Sequence, residues 1–273
     1  MSMNSFHARQ GRPRPTAEKT AVDRHGLLRA DALLVQLGLA GSRTQAQRLI
    51  EAGRVYCAGK LVSKAALELP PDTVLTVETD ETDRYVSRGG LKLAGVLTAS
   101  GVRVTGKTCL DVGQSTGGFT DCLLQAGATR VVGVDVGHSQ LHARIKNDPR
   151  VVAHEGINCR TLDKGDLGES MPVSGFDLIV GDVSFISLTL ILPQLPALLG
   201  QDGDLLLLVK PQFEVGPGHL GKGGIVRDPA LYREVEDKLR LCAQNLGLTV
   251  QGWFDSPITG GDGNREFFIW LKK

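Results

Sequence analysis

The spacing of hydrophobic positions changes along this 273-residue chain, and the change divides it. From Arg29 the residues Ala30, Leu33, Leu34 and Leu37 recur at i, i+3, i+4 and i+7, which predicts an amphipathic helix closed by Gly38 and Gly41. Ser42-Arg43-Thr44-Gln45 then has the form of a capping box, with Ser at the N-cap and Gln at the third helical position. The helix behind it should bury Ala46, Leu49 and Ile50 and stop at Gly53. Short extended pieces follow at Val55-Tyr56, at Lys60-Leu61-Val62 around Ala58-Gly59, and from Val74 to Val77 after Pro70-Pro71.

Beyond Lys107 short apolar runs alternate with helical stretches, the pattern of a doubly wound parallel α/β sheet. Strands are expected from Thr108 to Val112, Val131 to Asp135, Val151 to Ala153, Phe176 to Gly181, Leu205 to Lys210, Thr249 to Phe254 and Phe267 to Leu271. The length also favours two domains. They are expected at 25–80 and 91–273, joined by a polar, glycine-ended linker at 81–90. Residues 1–24 are polar and basic with almost no large apolar side chain, and read as a disordered tail.

Charge sharpens this division. Residues 1–64 hold 11 Lys/Arg against 4 Asp/Glu, and the remainder holds 20 against 26, although the whole chain nets only +1. A basic first quarter on a mildly acidic remainder points to a polyanion-binding module fused to something else. No apolar run approaches the ~18 residues of a membrane helix, and no apolar segment marks a secretory signal. The five cysteines (Cys57, Cys109, Cys122, Cys159, Cys242) are scattered, without a Cys-x-x-Cys pair. That composition argues against a disulfide framework or a metal site and for a reducing cytoplasm.

Arg29-Ala-Asp31-Ala-Leu-Leu, Gly41-Ser-Arg43-Thr-Gln-Ala-Gln-Arg48-Leu-Ile and Gly53-Arg-Val-Tyr56-Cys-Ala-Gly59-Lys60 together resemble the S4-type RNA-binding domain. The resemblance implies RNA binding, with Arg29, Arg43, Arg48, Arg54, Lys60 and Lys64 as the candidate contacts.

In the second domain a glycine-rich turn, Gly113-Gln-Ser-Thr-Gly117-Gly118, follows the first strand. Such a turn brings a ligand close to backbone at the sheet's carboxyl edge. No Lys-Ser/Thr follows Gly118, so a Walker phosphate loop does not fit; nor does the spacing G-x-G-x-x-G of a dinucleotide site. S-adenosylmethionine remains. Asp111 could meet its ammonium, and Asp135, 24 residues on at the end of the second strand, could accept its ribose hydroxyls.

Several motifs, Leu110-Asp-Val-Gly-Gln-Ser-Thr-Gly-Gly-Phe-Thr-Asp121, Val134-Asp-Val-Gly-His-Ser-Gln-Leu141, Asn147-Asp-Pro-Arg-Val151, Gly181-Asp-Val-Ser-Phe-Ile-Ser187, Leu208-Val-Lys-Pro-Gln-Phe-Glu214 and Gly263-Asn-Arg-Glu-Phe267, resemble the TlyA family. These are ribosomal-RNA ribose 2′-O-methyltransferases, also called haemolysin A, with an S4-type domain ahead of an FtsJ-like domain. The resemblance implies a cofactor site of Asp111, Gly113, Ser115, Thr116, Gly117, Gly118, Phe119, Asp135 and Val136, and ribosomal RNA within ribosomal subunits as partner. Gln114 stands where the family has a small residue, so its amide would either crowd the ligand or bond it.

The resemblance also implies a Lys-Asp-Lys-Glu tetrad at Lys92, Asp182, Lys210 and Glu266. Lys210 would orient the hydroxyl or accept its proton, Asp182 and Glu266 would hold the lysines, and Lys92 would fix the substrate ribose or phosphate. Asp182-Val-Ser-Phe185 lacks the Pro-Pro of amine methyltransferases, and no Pro-Cys marks a pyrimidine C5 enzyme. The rivals are a non-catalytic RNA-binding assembly factor and a haemolysin, the latter without an obvious membrane-active segment.

Overall fold

The computed structural model describes residues 26–78 and 84–273. It separates into two compact units divided between Thr79 and Asp80. The expected tail at 1–24 and residues 81–83 of the expected linker lie outside the described residues.

In the first unit β1 (Leu28–Arg29) leads into α1 (Ala30–Gln36) and α2 (Arg43–Glu51), followed by β2 (Val55–Cys57), β3 (Lys60–Leu61), β4 (Glu68–Leu69) and β5 (Leu75–Val77). β2 lies between β3 and β5, antiparallel to both, while β1 pairs with β4. Ala30, Leu33, Leu34, Ala46, Leu49, Ile50, Val55 and Leu75 form one core. Leu37, expected among them, is exposed, because α1 ends at Gln36 and Gly38 turns the chain at φ +71°.

The second helix starts as expected, with one change of partner. Ser42 Oγ accepts from the Gln45 backbone N–H at 3.2 Å, but Gln45 Oε1 accepts from Gly41 rather than from Ser42 itself. Asp31 is wholly buried in the first turn of α1 and accepts from Arg29, Arg43 and Gln47. The Arg29 guanidinium, with Gln47 and Arg43, holds its carboxyl well below the usual carboxylate range. A buried carboxylate is tolerable only when its oxygens are occupied like this, and here the occupants tie α1 to α2.

The second unit begins with α3 (Gly89–Ser100), then β6 (Thr108–Val112), α4 (Gly118–Gln125), β7 (Arg130–Asp135), α5 (Ala143–Lys146) and β8 (Val151–Glu155). It continues with α6 (Lys164–Leu167), β9 (Phe176–Gly181), α7 (Leu195–Leu198), β10 (Leu199–Val209), α8 (Pro229–Asn245), β11 (Thr249–Asp255) and β12 (Phe267–Lys272). The sheet has seven strands in the order β11-β12-β10-β9-β6-β7-β8. β8, β7, β6, β9 and β10 are mutually parallel, whereas β12 runs antiparallel to both neighbours, β10 and β11. The expected all-parallel sheet therefore holds for five strands and not for β12, because an apolar run carries no information on strand direction. β10 also starts at Leu199, earlier than expected, with a register break before Asp204.

Helices cover both faces, so the strands are apolar on both sides. Leu205, Leu207 and Val209 of β10 join a core with Val235 and Leu239 of α8. Leu206 and Leu208 join the opposite core, with Leu93 and Val96 of α3 and Leu123 of α4.

Residues 84–90 do not behave as a linker. Tyr85 is buried in the α3–α4 core, the Val86 N–H donates to Asp121 Oδ2 at 2.8 Å, and α3 already begins at Gly89. The polar composition concealed one anchoring aromatic, and the glycine serves contact rather than mobility: a Cβ on Gly90 would lie 2.3 Å from the Tyr85 ring. Gly90→Ala is therefore expected to destabilise this unit by about 1–3 kcal/mol, the usual cost of overpacking, despite the better helix propensity of Ala. Denaturant titration of the full chain measures it; an unchanged or raised midpoint contradicts the packing described.

Candidate active site

The chain leaves β6 for β7 on one side, while β9 lies on β6's other side, so the sheet reverses its winding between β6 and β9. Open α/β sheets bind ligands at such a point, beyond the carboxyl ends of the strands. The glycine-rich turn occupies it. Gly113 has φ +84°, and a Cβ there would lie 2.7 Å from the Asp182 carbonyl oxygen. Gly118 opens α4 so close to the incoming segment that a Cβ would lie 2.1 Å from Ser87 Oγ. The turn is thus wedged between the end of β9 and residues 87–90, and presents Ser115 and Thr116 outward.

Asp135 ends β7 as expected, half-buried. Its Oδ2 accepts from the Ser115 N–H at 2.8 Å and its Oδ1 from the Gly137 N–H at 2.7 Å. These bonds fix the carboxylate, and each oxygen keeps a lone pair for a further donor. Val136 beside it is exposed.

Asp111 and Phe119 lie elsewhere than expected. Phe119 is a core side chain stacked on Phe268 at 6.1 Å between ring centres, with its ring below the turn. Asp111 is completely buried, so it offers no surface for direct contact with a ligand's ammonium. Its Oδ2 accepts from Thr120 Oγ1 at 2.6 Å, and its Oδ1 has no partner. Burial pushes its carboxyl up to about 7, against the Thr120 hydrogen bond, with the charges of Asp182 and Asp135 adding to the rise. Gln114 neither crowds the open face nor reaches it. Its amide is turned inward, donating to Thr120 Oγ1 at 2.9 Å and lying over Gly133, where a Cβ would approach it to 2.0 Å.

The four tetrad positions meet as two ion pairs. Lys210, after β10, places Nζ 2.6 Å from Oδ1 of Asp182, which follows β9, and donates to Ser184 Oγ at 2.7 Å. Lys92, in the first turn of α3, places Nζ 2.5 Å from Oε2 of Glu266, just ahead of β12. The second pair is the drier, with side chains 9% and 2% exposed, so Lys92 is not a solvated helix cation. Burial pushes the Glu266 carboxyl up while Lys92, and next Lys210, pull it down, so the two pairs lie within electrostatic reach.

Two residues the sequence reasoning left without a role adjoin these pairs. Ser184 takes a Lys210 hydrogen, and Phe185 stands 90% exposed at φ +63° with its ring 5.2 Å from Phe213. Both lie inside a quoted motif, but nothing in their residue type announced a role.

In the first unit Arg48, Lys60 and Lys64 are exposed. Arg29 and Arg43 are held by Asp31, and Arg54 donates to the Glu78 carbonyl.

Residues 85–273 match the FtsJ-like methyltransferase family and residues 28–75 match the S4 domain. The chain belongs to the FtsJ-like methyltransferase family. It is 47% identical over 89% of both chains to the 16S/23S rRNA (cytidine-2′-O)-methyltransferase TlyA of Mycobacterium tuberculosis. A solved hemolysin-named structure from Streptococcus thermophilus superposes with a TM-score of 0.70 at 40% identity, covering 91% of this chain and 89% of that one. An S-adenosylmethionine-dependent methyltransferase from Mesorhizobium loti shares the fold at 15% identity and a TM-score of 0.50, over 67% of this chain and 98% of its own. Family and fold are those expected from the motifs. Among the described residues no helix of this FtsJ-like protein is long and apolar enough to cross a membrane.

The buried Asp111 makes stability depend on pH with a defined sign. Its folded pKa lies above the unfolded value of 3.8, so the folded state binds more protons between those values. Stability must therefore fall as pH rises from about 4 to 7 and stay reduced above. Asp111→Asn, which keeps the acceptor for Thr120, should raise Tm at pH 8 by several degrees, at about 2–4 °C per kcal/mol for this size, and by clearly less at pH 5, where only the unfolded state is ionised. Thermal melts at both pH values decide it; an equal shift at both denies the charged burial.

Proposed function

We propose that the protein transfers the methyl group of S-adenosylmethionine to the ribose 2′-hydroxyl of a cytidine in ribosomal RNA. One observation carries the reading: the Lys210–Asp182 pair stands at the carboxyl ends of β9 and β10, the Lys92–Glu266 pair joins α3 to the start of β12, and the glycine turn after β6 packs against the Asp182 backbone so closely that Gly113 has no room for a Cβ. The relative from Mycobacterium tuberculosis, named for cytidine-2′-O methylation of 16S and 23S rRNA, supports the choice of hydroxyl and base.

The residues present fit the cofactor. Asp135 keeps acceptor capacity for ribose hydroxyls, the Ser115–Thr116 backbone faces outward, and Val136 offers an exposed apolar surface. Bound S-adenosylmethionine supplies an electrophilic sulfonium methyl. A ribose hydroxyl is a weak nucleophile at neutral pH and must be both aligned and relieved of its proton.

Lys210 does this work. Asp182 and Ser184 occupy two of the three positions around Nζ, leaving one for the ribose oxygen. As the neutral amine, after giving up one proton to solvent, Nζ has a lone pair to take the hydroxyl proton, and the ammonium then re-formed is stabilised by the carboxylate 2.6 Å away. Lys92, buried and paired to Glu266, positions the ribose or its phosphate. Both pairs lie on the ends of packed elements, which favours alignment over adaptability. The S4-type unit anchors RNA through phosphate contacts, chiefly at Arg48, Lys60 and Lys64, whose side chains stand outward.

The test is tritiated-methyl incorporation into ribosomal subunits from a strain lacking the enzyme. Lys210→Ala should lose about 10²–10⁴ in rate with cofactor affinity within a few fold. Lys210→Arg should not rescue, because a guanidinium stays charged and cannot accept the proton. Near-normal turnover of the Arg variant would assign Lys210 a purely electrostatic role, and no turnover by the wild type would leave an RNA-binding factor. Arg48→Glu with Lys64→Glu should raise KM for subunits by tenfold or more and spare cofactor affinity; an unchanged KM removes the RNA anchor from these side chains.

A further inference from the structure

Glu214 ends the motif Lys210-Pro-Gln-Phe-Glu214, and the chemistry above gives it no task. Its side chain is 1% exposed, deeper than either member of the Lys210–Asp182 pair. It is also fully engaged. The Ser187 hydroxyl donates to Oε2 at 2.6 Å, the Leu188 N–H donates to Oε1 at 2.7 Å, and Lys238 of α8 reaches Oε2 at 2.9 Å.

Ser187 and Leu188 end the segment that starts at Asp182, and Glu214 ends the turn that starts at Lys210. Two segments are therefore zipped together. At one end Lys210 meets Asp182 and Ser184, in the middle the rings of Phe185 and Phe213 meet, and at the other end Glu214 grips Ser187 and Leu188. In the middle Phe185 holds φ +63°, a region an aromatic residue rarely adopts, and such a conformation persists only where its surroundings over-determine it. Beyond Ser187 the backbone turns into a short helical stretch whose Thr189 N–H is already capped by Ser187 Oγ. The staple thus grips the segment at a fixed point.

We propose that Glu214 is a positioning residue for methyl transfer. It clamps the segment 182–188 against the turn 210–214 and so sets the alignment of Asp182, Ser184 and Lys210, without touching substrate or cofactor. The inference rests on the methyl-transfer reading of the site. A carboxylate suits the task because it offers two oxygens to two donors on consecutive residues, and Lys238 compensates its charge.

The experiment uses the full chain and the same subunit assay, in single-turnover and steady-state form, with wild type, Glu214→Ala, Ser187→Ala and the double variant. Cofactor affinity is measured by calorimetry and folding by circular dichroism. Glu214→Ala should lower kcat about 10–100-fold, the scale of an ångström-sized misplacement, with KM for subunits and S-adenosylmethionine Kd within threefold. The single-turnover rate should fall while its amplitude is kept; a merely structural role would lower the amplitude and keep the rate. Ser187→Ala should show a smaller loss of the same kind, and the double variant should be no worse than Glu214→Ala, because both remove one staple. A folded Glu214→Ala enzyme with kcat within twofold of wild type overturns the proposal. So does a loss carried by KM or by cofactor Kd, or a double variant whose losses multiply. If Glu214→Ala does not fold, Ser187→Ala decides alone, and a wild-type kcat there overturns the proposal. Absence of turnover by the wild type would remove the methyl-transfer reading itself and this inference with it.

Discussion

The pairing of β6 with β9 at the centre of the sheet is the constraint on which the site depends. It puts the turn after β6 directly against the backbone of Asp182, which donates its N–H to the Val112 carbonyl. Gly113 can sit there only without a side chain, since a Cβ would come within 2.7 Å of the Asp182 oxygen. One backbone contact therefore sets the distance between the turn that suits a methyl donor and the acid that holds Lys210. Neither half of the chemistry can shift without straining the middle of the sheet, where the interior is close-packed.

Around this centre buried charge is matched locally. Asp31, Asp121, Asp204 and Glu266 are each buried and each faces a cation, respectively Arg29 and Arg43, Arg144, Lys107, and Lys92. Asp111 is the exception, with one oxygen bare and a hydroxyl on the other. An ion pair inside a protein has to recover what its members lose on leaving water, which only close geometry achieves. Among the described residues, the single buried carboxylate without a cation lies on β6, just before the candidate ligand turn. Stability is sacrificed there and at the left-handed Phe185, both beside the site, as expected where function constrains structure.

Much of this was legible in the sequence because the deciding signals are local. Strand after strand could be read from apolar runs, since a sheet covered on both faces needs them. The capping serine, the acid ending β7 and the tetrad positions sat in short motifs whose meaning does not depend on distant contacts. What escaped reading depends on contacts across the sequence. Nothing near Tyr85 shows that it will be buried with Phe119 and Cys122 of α4, so a packed segment looked like a linker. Thr120 and Gln114 stand in the same motif as Asp111, but residue type alone does not show that they turn inward over it, so a buried acid looked like a ligand contact. Ser184 and Glu214 acquire meaning only when the segments after β9 and β10 are laid side by side.

The antiparallel β12 has a consequence for folding. Of the described strands it is the last in sequence, yet it lies between β10 and β11 and carries Glu266 at its entrance. Until it docks, β10 has a bare edge of unbroken leucines, and Lys92 faces an empty place where its partner belongs. A chain in which β12 has not yet docked is thus sticky along that edge and leaves the Lys92 charge without its counter-ion. Closure of that edge and burial of the Lys92 charge are thus a single event, the docking of β12.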